Sequence, residues 1–309
     1  MNLIEQYKEL LYIEKFNENF EKYLRVPSLI RLKNVGYFCG MDYASKEIYD
    51  FSGYVSRYDH SLNVALITWM CTKDKRATLA ALFHDISTPC FSHVIDYMNN
   101  DYIEQESTEQ YIKDILDKDE YLLECLKEDG ILLEEIIDFK KYTIVDNKRP
   151  KLCADRLDGV ILTGLYWTKN LTLEDVKNII ADIEIFINED KEKEIGFKNE
   201  EVAKLVVEVN KSIDMYCHSK EDIFMMELLA SITKNAIDKN IITYEDLYKL
   251  DEEDLMYILE ICIDNELLLD LNKFKNIKLD EIPAFDIPNI KYRCLNPLVD
   301  SVRLNDFMI

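Results

Sequence analysis

The chain has 309 residues, of which 48% are hydrophobic and 31% charged, so its composition is globular and long enough for a sizeable core. A formal net charge of -23 argues against broad binding to nucleic-acid backbones or to anionic lipid. Only 7 glycines and 6 prolines occur, which favours long helices over many tight turns. We therefore expect an all-α protein.

The cysteines and the N-terminus indicate the compartment. Eight cysteines are scattered along the chain without a CxxC pair, as expected of free thiols in a reducing environment. The N-terminal segment MNLIEQYKELLYIEKF lacks the apolar run of a signal peptide. No stretch reaches 18 apolar residues, so no membrane span is predicted. We expect a cytoplasmic protein.

The first predicted element is an amphipathic helix over residues 3–24. Val26 and Pro27 interrupt it, and Ser28 is a candidate cap for a short helix through Leu32. Residues 35–54 carry three glycines among aromatic residues, which predicts a loop or a small hairpin.

Two helices follow, at about 60–71 and at 74–86, each with apolar residues at helical spacing. Pro89 is expected to stop the second helix. The pattern then predicts three further helices at 91–99, 106–127 and 131–141. The longest of these would begin at Ser107 or Thr108.

The remaining elements suggest a division of the chain. Pro150 suits the first turn of a helix over 151–167, and Thr172 suits the cap of another over 172–188. Residues 191–199 read as a charged connector, so we expect a core at 1–190 and an accessory region at 191–309. Three or four helices are predicted within 200–275, and three prolines predict a short extended C-terminal arm at 282–299.

The chain has only four histidines, of which His60 and His84 begin and end neighbouring predicted helices. Asp85 follows His84, and Asp155 lies among apolar residues of a third helix. A buried carboxylate needs compensation, and two imidazoles with two carboxylates suit a divalent Mn, Fe, Ni, Co or Zn ion. Any single helical histidine is more often a core or surface residue, and His218, in a polar stretch, is expected at the surface.

Two arginines adjoin these candidate ligands. Two neutral imidazoles and two aspartates balance a divalent ion, so binding a phosphate would require added cations. Arg57 lies three residues before His60, and Arg156 directly follows Asp155. We expect both to bind substrate phosphates; the alternative for each is an ion pair with one of the abundant acids.

Three segments together resemble a known family. They are Arg57-Tyr-Asp-His60, the run from His84-Asp85 to Phe91-Ser92-His93, and Ala154-Asp155-Arg156-Leu-Asp158. In this order they resemble the HD superfamily of metal-dependent phosphohydrolases. The Pro-x-Phe-Ser-His tail is most similar to the deoxynucleoside triphosphate triphosphohydrolases, which include bacterial dGTPases and the sterile-alpha-motif HD dNTPases.

The resemblance implies an HD-domain helical core with one divalent metal ion, Mg included among the candidates. Its ligands would be His60, His84, Asp85 and Asp155. Arg57 would contact the substrate phosphates, with Arg156 at a neighbouring basic position. The family reaction is attack of water on the α-phosphorus of a nucleotide, which releases nucleoside and triphosphate. The family also forms oligomers, so the resemblance implies a dimer or a larger assembly.

The chain departs from the family pattern at two places. Ser87 and Thr88 replace the usual Gly-His after His-Asp, and the downstream His-Glu dyad aligns with Gln105-Glu106. The candidates for acid–base catalysis are therefore His93 and Glu106, together with Asp85. The alternatives are that His93 supports the ligands and that Glu106 merely begins a helix.

Three functions remain open at this stage. The first is an enzyme that cleaves a nucleoside triphosphate, with a nucleoside monophosphate phosphatase as the alternative within enzymes. The second is a nucleotide-binding or sensor protein with weak turnover, because two family histidines are replaced. The third is a helical scaffold in which the motifs are accidental. Product identity and metal content distinguish these three classes.

Overall fold

The structure is a computed structural model that describes residues 1–11, 16–103, 107, 108 and 110–305. Within these residues most of the chain is helical. The helices are Leu3–Leu11 (α1), Phe16–Phe20 (α2), Pro27–Arg31 (α3), Arg57–Thr72 (α4), Lys75–Phe83 (α5), Val94–Met98 (α6), Ile112–Leu116 (α7), Glu120–Glu128 (α8), Glu134–Ile137 (α9), Ala154–Tyr166 (α10), Leu173–Asp182 (α11), Glu200–Cys217 (α12), Lys220–Asp238 (α13), Asp246–Lys249 (α14), Glu252–Ile261 (α15) and Asn265–Asn276 (α16).

A four-stranded sheet corrects the all-α expectation. Its strands are Ile183–Ile187 (β1), Lys193–Phe197 (β2), Leu298–Val299 (β3) and Val302–Arg303 (β4), hydrogen-bonded in that order. The β1–β2 and β3–β4 pairs are antiparallel, whereas β2 and β3 run parallel. The prediction of a helix through residue 188 was wrong beyond residue 182, because the sequence IEIFI of β1 favours a strand once β2 lies beside it.

The N-terminal helix predictions were correct in type but too long. The described part of the predicted helix 3–24 contains α1, α2 and a 3-10 turn at Tyr23–Arg25, and residues 12–15 lie outside the described residues. Ser28 does not cap α3, which begins at Pro27 after an extended Val26. The Ser28 hydroxyl instead donates to Asp119, the residue that caps α8.

The predicted helix 106–127 was wrong in its continuity. Its described part contains α7 and α8, separated at Asp117–Asp119, and Ser107 and Thr108 lie in a turn. The stretch 131–141 holds the short α9 and a 3-10 turn at Phe139–Lys141. Pro150 precedes α10 by four residues and does not form its first turn. Short polar stretches between the apolar runs explain these breaks. The prediction did not interpret these stretches as helix ends.

Two hydrophobic cores organise the fold. The first is built mainly from α1–α5 and α7–α12, with apolar residues of the C-terminal arm packed against it. The second combines α6, the 3-10 turn Met41–Tyr43 and helices α13, α15 and α16. Trp167 and Phe51 pack against both cores. The accessory helices therefore pack directly on segments of the predicted core.

The C-terminal half contains five helices within residues 200–276, where three or four were predicted. The extended arm at 282–299 was correctly predicted up to the short strand β3. The boundary proposed at residue 190 stays a prediction, and strands β1 and β2 pair across it. Within the described ranges, no helix has the length and apolar character needed to cross a bilayer.

Candidate metal centre

Helices α4, α5 and α10 bring the predicted ligands together. Ser56 caps α4 through a capping box with Asp59, which places His60 in the second turn rather than at the beginning. Helix α5 ends at Phe83, so His84 is its C-cap and Asp85 follows. Asp155 lies in the first turn of α10. Helix ends therefore supply three of the four side chains.

The ligand atoms lie within a few ångströms of one another. His60 Nε2 and His84 Nε2 are 3.0 and 3.6 Å from Asp155 Oδ1. Asp85 places its two carboxylate oxygens 3.9 Å from His60 Nε2 and 3.7 Å from His84 Nε2. His60, His84 and Asp155 form a group that could hold a metal ion, because one donor atom of each lies within 4.8 Å of the others.

The far side of each imidazole is fixed by a hydrogen-bond acceptor. His60 Nδ1 lies 2.7 Å from Asp158 Oδ2, and the Tyr7 hydroxyl donates to the other oxygen of this carboxylate at 2.7 Å. His84 Nδ1 lies 2.7 Å from the carbonyl oxygen of Ala81. Since these oxygens can only accept, each Nδ1 carries its proton and each Nε2 faces the shared site.

The donor set fits a divalent transition-metal ion. His84 Nε2 is buried and has no hydrogen-bond partner among the described residues. An unpaired buried nitrogen is costly unless something binds it. Two imidazole nitrogens with carboxylate oxygens are ligands that suit Mn, Fe, Co, Ni or Zn. The site therefore has both an unsatisfied donor and the chemistry to bind such an ion.

The site is held by strong electrostatic coupling. Burial acts to lower the pKa of His60, but Asp155 and Asp158 outweigh it and raise the pKa to about 10. Burial likewise opposes ionisation of Asp85, but His84 and Arg57 outweigh it and lower its pKa to about 2. Without an ion, these pKa shifts favour imidazolium groups paired with carboxylates. A metal ion that binds here would displace the imidazolium protons.

The guanidinium of Arg57 is hydrogen-bonded to residues in and around the site. Its Nη1 donates to Asp85 Oδ2 at 3.0 Å and its Nε to Ser92 Oγ at 3.0 Å. Its Nη2 donates to the carbonyl of Tyr37 at 3.3 Å. The side chain is buried and lines the cavity beside the ligands. Arg57 therefore orients Asp85, and its predicted role toward phosphates stays a prediction.

Arg156 is bound to the loop that precedes α10. It donates to Asp146 at 3.1 Å and to the carbonyls of Asn147 and Lys151. These bonds close the loop 146–151 over the start of α10. Asp146 also forms, with Cys153 and Asp155, a second group of potential metal ligands that the sequence analysis did not identify. The predicted phosphate contact of Arg156 likewise stays a prediction.

The candidate ligands open into a cavity of about 1090 Å³. Among the residues that the structure describes, eight lysines and arginines line it against six aspartates and glutamates, although the chain as a whole carries a net charge of -23. Arg149 is half-buried in this lining, and its guanidinium makes no hydrogen bond or ion pair with a described residue. Burial and the neighbouring Arg156 and Arg293 lower its pKa. Arg149, Arg156 and Arg293 thus form a cationic wall of the cavity near Asp155, in which the like charges repel one another.

Aromatic side chains form another part of the cavity. Phe38 and Phe51 stack with ring centroids 4.4 Å apart, and Tyr49 stacks on Phe51 at 5.5 Å. Trp167 meets these rings edge-on or tilted. The Tyr49 hydroxyl donates to Asp222 at 2.6 Å. An aromatic, apolar surface therefore shares one cavity with the candidate metal ligands.

The acid–base candidates differ in what the structure describes. His93 lines the cavity, one third of its side chain is exposed, and its Nδ1 lies 2.8 Å from the buried Asp96. Glu106 lies outside the described residues. Asp85 adjoins the imidazoles of His60 and His84. His218 follows α12, half-exposed, and does not belong to the cavity lining.

Sequence reasoning missed three residues that act on this site. Asp158 appeared only as part of a motif, although its spacing from Asp155 places it on the adjoining helical face. Tyr7 gave no signal, because 151 residues separate it from Asp158. Arg149 lies between the helices predicted at 131–141 and 151–167, where no pattern singled it out. Long-range contacts of this kind have no local pattern.

The site is a cluster of histidines and aspartates that converge between three helices of a mostly helical protein. Residues 57–158, about a third of the chain, match the family model of the HD domain. All four predicted ligands lie within the matched region.

Two curated proteins are similar to the chain. YdhJ of Bacillus subtilis, an uncharacterized protein, is 27% identical over 217 residues, which cover 69% of this chain and 64% of YdhJ. The metal-dependent phosphohydrolase cns2 of Cordyceps militaris is 28% identical over 132 residues, which cover 43% of this chain and 37% of cns2. The chain therefore spans less than two thirds of the length of either relative.

Proposed function

We propose that the chain is a metal-dependent phosphohydrolase that cleaves a nucleoside or deoxynucleoside triphosphate to nucleoside and triphosphate. The observation that carries the proposal is a single cavity containing the two His Nε2 atoms, the facing carboxylates and an unpaired arginine. The HD domain and the name of the relative cns2 support the reaction class.

The ion would be held by His60, His84, Asp85 and Asp155. A bound divalent ion supplies charge for a phosphoryl oxygen and makes water a better nucleophile near neutral pH. The protein keeps these ligands in place beforehand: Asp158 and the Ala81 carbonyl orient the imidazoles, and Arg57 orients Asp85. Such support reduces the rearrangement needed on binding.

Substrate phosphates would bind along the cationic wall. Arg149 faces Arg156 and Arg293 without a carboxylate partner of its own, so an anion placed there relieves their mutual repulsion. A planar guanidinium with all its donors unused can bind a phosphate with two parallel hydrogen bonds. One phosphate at the metal and another at Arg149 would favour a substrate with a phosphate chain over a monoester.

The aromatic part of the cavity suits a nucleoside. The rings of Phe38, Phe51 and Trp167 provide an aromatic, apolar surface, and bases bind well to aromatic rings. Asp222 lies at this surface, and burial raises its pKa to about 6. A carboxyl group there offers a polar contact for the sugar or the base. The cavity is also large enough for a nucleotide, whose usual sites measure hundreds of cubic ångströms.

His93 would move the proton. Its Nδ1 faces Asp96, which leaves Nε2 as the nitrogen available to the cavity. An imidazole held by a carboxylate in this way can donate a proton to a leaving oxygen or accept one from water. Glu106 remains a second candidate from sequence alone.

The test is metal analysis of purified protein, followed by a nucleotide panel with Mn, Mg, Co and Ni. We expect bound transition metal and release of inorganic triphosphate from at least one nucleoside triphosphate. Orthophosphate release from nucleoside monophosphates would instead identify a phosphatase. Thermal stabilisation by nucleotide without turnover in any metal would identify a binding protein, and absence of bound metal would contradict the proposal.

A further inference from the structure

The accessory region holds the segment that leads into His93. Cys90 N donates to the carbonyl of Leu247 at 2.7 Å, and Cys90 Sγ donates to the carbonyl of Leu250 at 3.1 Å. One residue on, Phe91 N donates to Glu252 Oε1 at 2.7 Å. Residues 247–252 lie at α14 and the start of α15, far along the chain from the metal ligands.

The segment held in this way has an unusual backbone. Phe91 and Ser92 have φ values of 62° and 47°, so two consecutive residues with side chains adopt the left-handed conformation. Such residues are disfavoured and persist only where the surroundings fix them. Both side chains are buried, and the ring of Phe91 lies where a Cβ on Gly40 would clash, at 2.6 Å. The hydrogen bond from Phe91 N to Glu252 therefore helps maintain a strained turn.

This turn is connected to a candidate metal ligand. Ser92 Oγ accepts from Arg57 Nε at 3.0 Å and donates to the carbonyl of Gly36 at 3.2 Å. Arg57 in turn donates to Asp85 at 3.0 Å. Glu252 thus reaches Asp85 through the Phe91–Ser92 turn and Arg57, with each step a direct contact.

Glu252 is placed as a rigid anchor. The side chain is 1% exposed. Its Oε2 lies against Gly36, where an added Cβ would come within 2.9 Å. Glu252 therefore packs between the two segments that supply the Ser92 hydroxyl and its Gly36 acceptor. Burial raises the pKa of Glu252 to about 8, and its Oε1 accepts the Phe91 hydrogen bond in either protonation state.

We propose that Glu252, a residue of the accessory helix α15, is a positioning residue for the metal centre. It fixes the Phe91–Ser92 turn, which orients Arg57 and through it Asp85. The inference rests on the metal site of the proposed function. It also gives the accessory helices a direct role in metal binding in addition to their role in packing.

The test compares metal affinity among variants of the full chain, by calorimetric titration of metal-free protein with Mn²⁺. Glu252→Ala should weaken Mn²⁺ binding about tenfold, the usual effect of removing support for a ligand. Glu252→Gln keeps an acceptor for Phe91 N and should restore wild-type affinity. Glu253→Ala, at the exposed neighbouring position, is the control and should bind as the wild type. Wild-type affinity in Glu252→Ala would overturn the proposal.

A double-mutant cycle separates positioning from general loss of stability. Ser92→Ala cuts the connection to Arg57 while leaving Glu252 in place. If both residues act through one path, the loss of Mn²⁺ affinity in the double variant should equal that in either single variant. Additive losses would overturn the proposed path. If Glu252→Ala folds poorly, Ser92→Ala, which leaves the Glu252 packing filled, tests the path by itself, and wild-type Mn²⁺ affinity in Ser92→Ala would overturn the proposal.

Failure of the proposed function is distinguishable from failure of this inference. If the wild type binds Mn²⁺ but hydrolyses no nucleotide, the enzymatic proposal fails and the affinities still measure the role of Glu252. If the wild type hydrolyses nucleotide and Glu252→Ala binds Mn²⁺ normally, only the inference fails. If the wild type binds no divalent ion, both are wrong.

Discussion

His60 Nδ1 lies 2.7 Å from Asp158 Oδ2, and neither side chain is exposed to solvent beyond a few per cent. This contact fixes which imidazole nitrogen faces Asp155. A second contact, from the Tyr7 hydroxyl, holds the same carboxylate in place. The orientation of a candidate ligand on α4 is therefore set by α10 and by the N-terminal helix α1.

Replacing Asp158 by asparagine should weaken metal binding. The variant keeps the size of the side chain but removes the negative charge that favours a proton on His60 Nδ1. We expect metal affinity to fall by about tenfold to a hundredfold. Competition with a chromogenic chelator measures the change. Asp114→Asn, at an exposed position on α7, is the matched control, and equal affinities in the two variants would contradict the prediction.

Replacing Asp85 by alanine should abolish both metal retention and hydrolysis. The carboxylate faces both imidazoles and neutralises the buried Arg57, so its removal leaves a buried cation without its partner. Mass spectrometric metal analysis and an assay of product release measure the two effects. Asp85→Asn, which keeps an acceptor for Arg57, controls for misfolding. Full activity in Asp85→Ala would defeat the assignment.

Replacing Arg149 by glutamine should impair substrate binding more than metal binding. A charge-assisted hydrogen bond is worth about 1.5–3 kcal/mol, so KM for a nucleoside triphosphate should rise about tenfold or more. Thermal stability should be unchanged or higher, because the variant relieves repulsion with Arg156 and Arg293. Steady-state kinetics and melting curves measure both. Arg25→Gln, which breaks an exposed ion pair with Glu21, is the control.

Replacing His93 by alanine should lower kcat by about a hundredfold or more, the usual contribution of a positioned acid or base. Metal affinity should stay at the wild-type value, because His93 is hydrogen-bonded to Asp96 and not to the candidate ligands. His218→Ala, at a half-exposed site after α12, should retain activity. A His93 variant that loses metal but not turnover per bound metal would indicate a supporting role instead.

Glu252 should make stability depend on pH. Burial raises its pKa from 4.5 to about 8, so between these values the folded protein keeps a proton that the unfolded chain releases. Its stabilising effect is therefore complete at low pH and is lost as the pH rises through about 8, by at most about 1.4 kcal/mol per pH unit. Glu252→Gln cannot titrate.

Urea unfolding of both proteins between about pH 5 and pH 8 measures this effect. The wild type should lose stability relative to Glu252→Gln as the pH rises. The comparison removes the contribution of Asp222, whose pKa burial also raises to about 6, because both proteins contain it. Parallel pH profiles for the two proteins would contradict the prediction.

Helices α4 and α5, which carry or adjoin three of the candidate ligands, were predictable because they are rich in apolar residues and well capped. Ser56 and Asp74 cap α4 and α5, and both helices lay close to their predicted positions. The motif order also indicated which side chains to expect at one place. Local sequence carries this information because caps and apolar periodicity act over a few residues.

What the sequence did not reveal depends on contacts between distant segments. Strand β2 looked like a charged connector because part of its pairing is with β3, about a hundred residues later. The pairing of Arg57 with Asp85 and the unpaired state of Arg149 likewise follow from tertiary geometry. Charge and residue type suggested a role for Arg57 but none for Arg149, because only the neighbouring residues in the fold determine whether a guanidinium is already hydrogen-bonded.

The parallel pairing of β2 with β3 has a consequence for synthesis of the chain. Asn296 N donates to the carbonyl of Pro150, and Arg303 forms ion pairs with Glu194, whose carboxylate also accepts from Leu152 N. The loop that bears Arg149 is thus tied down by residues that lie about 150 positions later in the chain. A nascent chain can assemble helices α4, α5 and α10 first, but its cationic wall is completed only after strands β3 and β4 have been translated.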